Sequence, residues 1–126
     1  MKKFMVVVIL LVATPIFAGG WTRQDTYREL AYMALLVVDY GQTLNIAKSN
    51  GKFAEMNPIF NEYPSQSSVN IAIAISAIIH PMISYLLPPR SDKWKWMNRE
   101  NWQYITIGAE ILAVGNNFRV GIGVSF

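Results

Sequence analysis

The chain is 126 residues long, which bounds it to one domain, and 15% of its residues are charged, below the roughly 25% of a soluble globular domain. The formal charge of +3 is mild and the basic residues form no tract interleaved with aromatic platforms, which argues against nucleic-acid binding. There is no cysteine, so disulfides, thiolate metal sites and a lipid-modified N-terminal cysteine are excluded.

Residues 1–18 read as a secretory signal peptide. Lys2 and Lys3 form a positive region, Phe4 to Val12 is unbroken apolar sequence, and Thr14-Pro15 through Ala18-Gly19 supplies a breaker and small residues. Cleavage is expected after Ala18, leaving 19–126 as a single helical domain; the alternative is an uncleaved anchor. From Asp25 to about Asn50 the pattern is helical, with Asp25 and Thr26 as caps and Asn50-Gly51 as a stop. Its apolar centre, Leu30 to Val38, gives way to Asp39, Gln42, Thr43 and Asn45, which suit lipid poorly. From Val69 to Leu87 lies an uncharged segment of spanning length, with Pro81 as an expected kink and Pro88-Pro89 as its end. From Asn101 to about Phe118 a third apolar segment carries Glu110 at its middle, and the alternating tail Val120 to Phe126 reads as its frayed end or a short extension.

Trp94, Trp96 and Trp102, interleaved with Lys93 and Lys95, favour a lipid headgroup region. The loop from Arg90 to Arg99 holds four Lys/Arg, which the positive-inside rule places in the cytoplasm, whereas an exported N-terminus followed by three spans places it outside. Three spans packed as a bundle are expected; a re-entrant first helix with two spans is the alternative.

On helices, the polar residues of each segment share one side: Asp39, Gln42 and Thr43 in the first, Ser76, His80 and Ser84 in the second, Gln103, Thr106, Glu110 and Asn117 in the third. Lipid would require these stripes to face one another, so Asp39, His80 and Glu110 are expected to converge or to reach a water-filled cleft. Two carboxylates and an imidazole could bind a divalent metal or relay protons. The chain has no second histidine and no H-E-x-x-H or G-x-S-x-G motif, and the plainer role is interhelical packing, about 0.6 kcal/mol per polar contact.

Asp39, Gln42 and Thr43 form D-x-x-Q-T, followed after a gap by Glu55, Asn57 and Pro58 in E-x-N-P, where Glu55 can accept backbone amides and Asn57 before proline is held extended. This pairing resembles the signature of a family of small bacterial and phage membrane proteins without an assigned activity. The resemblance covers about residues 36 to 60, and more loosely His80-Pro81 and Glu110 to Asn117. It implies a helical membrane bundle and no particular activity.

The expected fold is therefore all-α, a small membrane bundle of about three helices after a signal segment, in the bacterial inner membrane. The expected role is non-enzymatic, without cofactor or resident metal, with the lipid bilayer and another envelope protein as partners; a phage-borne, host-modifying or exclusion protein is one version. The alternative is a metal- or proton-dependent membrane enzyme or carrier using Asp39, Glu55, His80 and Glu110. A soluble periplasmic helical domain is a third reading.

Overall fold

The computed structural model describes residues 20–58 and 60–126, so the expected signal segment lies outside the described residues. Three helices follow one another: α1 (Arg23–Lys48), α2 (Gln66–Leu86) and α3 (Arg99–Arg119), with no strand among the described residues.

Each helix begins where a side chain can satisfy its orphan amides. Thr22, rather than Asp25 or Thr26, caps α1: its Oγ accepts from Asp25 N at 3.2 Å, and Asp25 returns a bond to Thr22 N at 2.8 Å, a capping box. Ser65 caps α2 through Ser68 N, and the buried Asn98 caps α3 through Asn101 N. The stops are equally local. Asn50 (φ 51°) and Gly51 (φ 83°) take left-handed conformations after α1. α2 runs through Pro81 and ends at Leu86, before the proline pair.

α3 ends in a Schellman motif. Gly121 (φ 87°) donates to Phe118 O at 3.1 Å and Ile122 donates to Asn117 O at 2.9 Å. The tail is thus not a frayed helix end; it turns back and lies along α1. Ser125 N donates to Gly41 O at 3.0 Å and Asn45 Nδ2 to Gly123 O at 2.9 Å. Only glycine allows this approach, because a Cβ on Gly41 would stand 2.4 Å from Val124 Cγ1. With α2, α3 and the tail around it, the stretch Gly41 to Leu44 is buried on all sides.

The interior is layered. Its middle is apolar: Tyr32, Met33, Leu36 and Leu44 of α1 pack on Val69, Ile73 and Ala77 of α2. Elsewhere polar groups fill it. Of the seven largest fully buried side chains, only Val69 is apolar; the others are Gln42, Gln103, Glu29, Asn98, Thr43 and Ser84.

The outside has the opposite character. Every exposed residue between Leu30 and Ala47, between Ile71 and Leu86, and between Tyr104 and Phe118 is aliphatic, aromatic, methionine, alanine or glycine. These stretches form a belt roughly 22–27 Å tall at 1.5 Å per residue. Among the described residues one helix, α2, is long and apolar enough by composition to cross a membrane.

Candidate functional site

The expected polar seam exists, but the structure divides it into two sites at opposite ends of the apolar layer.

The first site is built on Glu29, which is 2% exposed. His80 Nδ1 is in direct hydrogen-bond contact with Glu29 Oε1, while Ser84 Oγ (2.9 Å) and Gln103 Nε2 (3.0 Å) donate to Oε2. Helices α1, α2 and α3 are thereby tied to one carboxylate. The imidazole is held from every side: Tyr32 stacks on it at 3.5 Å between centroids, Trp102 lies at 5.4 Å, and its Nε2 meets Thr106 Oγ1 at 2.8 Å. An open cleft of about 200 Å³, lined in part by Ser76, Ile79, Trp102 and Thr106, reaches His80 from the α2–α3 side.

Around this carboxylate lies a layer of compensating charge. Arg28 Nε donates to Gln103 Oε1 at 2.8 Å and its NH2 to Asp25 Oδ1 at 2.6 Å. Arg99, 3% exposed, donates to Ser84 O (2.7 Å), Leu87 O (3.2 Å), Gly20 O (3.1 Å) and Asp25 Oδ2 (3.4 Å), with its guanidinium 4.7 Å from the Trp21 ring centroid. Ser84 and Leu87 lie at the end of α2, where carbonyls lack helical partners, so a planar five-donor cation is well matched to them. Burial opposes ionisation of Asp25, but hydrogen bonds from Thr22 and Arg28 and the charge of Arg99 outweigh it and hold the carboxyl below its ordinary range.

The second site contains the remaining seam residues and the loop motif. Gln42 Nε2 donates to Val114 O at 3.3 Å, and Asn117 Nδ2 donates to Gln42 Oε1 at 3.2 Å, joining α1 to α3. Thr43 is fully buried beside them in sequence. Asp39, Glu55, Asn57, Pro58, Asn116 and Asn117 line a cavity of about 250 Å³. Glu55 Oε1 accepts Asn57 N at 2.9 Å, fixing the acidic turn, while Glu55 Oε2 is buried without a hydrogen-bond partner among the described residues. Glu110 lies within electrostatic reach of Asp39, and its Oε2 is likewise buried and unpartnered.

His80 therefore does not join Asp39 and Glu110; its carboxylate is Glu29. Glu29 is not among the residues singled out from the sequence, yet the stripe Asp39, Leu36, Tyr32, Glu29, Asp25 continues back at steps of three and four, a signal that includes both acids. Arg99, counted there as a loop cation, is internal. Among the described residues no group of three or more His, Asp or Glu side chains is arranged to hold a metal ion. Ser84 donates to Glu29 and not to His80, so the serine and the imidazole share an acceptor instead of forming a nucleophile–base pair.

No protein-family model matches the chain, and no curated protein or solved structure matches it.

Proposed function

We propose that this chain is a small integral protein of the bacterial inner membrane, with all three helices crossing the bilayer, that acts through contacts with other envelope components. The observation that carries the reading is the inverted polarity: amides, hydroxyls and carboxylates inside, an unbroken apolar belt outside. In water such a belt would be an extensive aggregation surface. In a bilayer it matches a hydrocarbon core of about 30 Å, and buried polar groups gain by facing each other. α1 and α3 are too polar by composition to pass as spans because their polar residues face inward. The first turn of α1, with Asp25, lies beyond the belt.

The contact of Arg99 with Gly20 O puts the start of α1 and the basic loop at one end of the bundle, which favours three crossings over a re-entrant α1. An exported N-terminus then places that loop outside. The positive-inside count against this arrangement weakens, since Arg99 is consumed internally. A host-modifying protein of exclusion type is one version of this role. Cell fractionation of a C-terminally tagged chain with an alkaline carbonate wash tests the reading: retention in the membrane pellet is expected, and release by osmotic shock or by carbonate overturns it.

A proton-dependent carrier is the second reading, favoured by the acidic cavity at Asp39. The two part at Asp39→Asn, which a packing role tolerates and a proton site does not.

A further inference from the structure

We propose that the cavity walled by Asp39, Glu55, Asn57 and Asn117 binds a primary ammonium group carried on a short organic chain. The two ends of the interior are electrically unlike. Every ion pair among the described residues involves Asp25, Glu29 or Glu100, all at the end of the bundle that holds Arg99. At the other end Asp39, Glu55 and Glu110 share a neighbourhood, and none of them has a cationic partner within ion-pair distance among the described residues. Asp39 is 8% exposed, lines the cavity, and makes no hydrogen bond to any described residue. Glu55 Oε2 and Glu110 Oε2 are buried acceptors without a donor among the described residues. A buried carboxylate without a cationic partner is costly, so this end of the molecule is completed by a cation or by protons.

The shape selects among cations. A divalent metal needs several oxygens closed around it at roughly 2.0–2.6 Å, and the acids here do not form such a group. Asp39 and Glu55 border a space of about 250 Å³, room for a multi-atom guest. An alkylammonium offers three N–H donors on a compact charge and can meet acceptors spread around a wall. Asp39 and the Glu55 side chain, both on the cavity wall, supply two carboxylates. The amide oxygen of Asn117, whose nitrogen is engaged with Gln42, supplies a third acceptor. Met56, Pro58 and Ala113 give the alkyl portion an apolar edge. The ammonium could come from a soluble amine or from the ethanolamine headgroup of a membrane lipid, and the chemistry of the site is the same for both.

The test is calorimetric titration of the full chain in dodecyl maltoside micelles with ethylammonium chloride, against choline chloride, sodium chloride and magnesium chloride at matched ionic strength. Saturable 1:1 binding of ethylammonium alone is expected, weakened about tenfold or more by Asp39→Asn and by Glu55→Gln, each of which removes a charge-assisted contact. Both variants should melt no lower than the parent, because each relieves an uncompensated buried charge. Equal binding of choline, sodium or magnesium, no saturation, or unchanged affinity in both variants would overturn the proposal. Repeating the titration in nanodiscs separates the sources. Weaker apparent binding in discs containing phosphatidylethanolamine than in phosphatidylglycerol discs identifies the lipid headgroup as the occupant. Equal binding in both identifies a soluble amine.

Discussion

Removing the Glu29 carboxylate should be among the most damaging single changes to this fold. In the Glu29→Ala variant, His80, Ser84 and Gln103 all lose their acceptor in an interior where Glu29 itself is 2% exposed. At the lipid average of about 0.6 kcal/mol per interhelical hydrogen bond the three would total only about 2 kcal/mol. Truncation, however, leaves three donors buried and unpaired, at about 1–3 kcal/mol each, so a loss of about 3 kcal/mol or more is expected. The larger figure should govern, since each donor belongs to a different group and no single rotamer change rescues them all. Glu29→Gln keeps the volume but turns an amide nitrogen toward a donor, so about 1–3 kcal/mol is expected. The assay is reversible unfolding of the full chain in mixed micelles, followed by helical circular dichroism. A double-mutant cycle with His80→Ala should give a coupling of about 1 kcal/mol or more. A cost below about 1 kcal/mol for Glu29→Ala would refute the reasoning, because the donors would then have found water through the α2–α3 cleft.

Arg99→Ala should destabilise by about 3–5 kcal/mol by freeing the carbonyls at the end of α2 and leaving Asp25 with one cation fewer, and Arg99→Lys should recover only part of this because an ammonium cannot reproduce the planar fork; thermal melts of both variants check it. Gly41→Ala should detach the tail, since its Cβ cannot coexist with Val124 Cγ1, and the readout is faster carboxypeptidase trimming with the helical content unchanged. Asp25 should make the fold acid-sensitive. Its folded pKa lies below the unfolded one, so its stabilisation is present above the unfolded value near 4 and is lost as pH falls through the folded value. Stability measured against pH should drop below about pH 4 in the parent and fall less steeply in Asp25→Asn.

The helices were legible because their ends are written locally. Asn50-Gly51 and Pro88-Pro89 stop α1 and α2 by backbone geometry alone, and the starts differ from expectation by two or three residues because Thr22, Ser65 and Asn98 cap from just outside the apolar runs. Polar stripes were legible too, since helical spacing is a property of one chain segment. Their pairing was not. Which stripe residue meets which depends on the axial offset between helices, so His80 finds Glu29 and Thr106 while Asp39 sits with Glu55 and Glu110. Arg99 was hidden by the same limit. In the sequence it closes a basic loop, and only the return of α3 toward Gly20 makes it an internal strut. The tail depended on a single contact, the bare Cα of Gly41, which no periodicity records.

A joint crossing of the bilayer by all three helices is directly testable, because the chain has no cysteine. Single cysteines placed at Thr22, Lys52 and Ser91, all exposed, can be labelled in intact spheroplasts with a membrane-impermeant maleimide. Positions 22 and 91 should react alike and position 52 oppositely, with 52 labelled only after the membrane is opened if the N-terminus is exported. Equal labelling of 22 and 52 in sealed spheroplasts would contradict it, because α1 would then not cross.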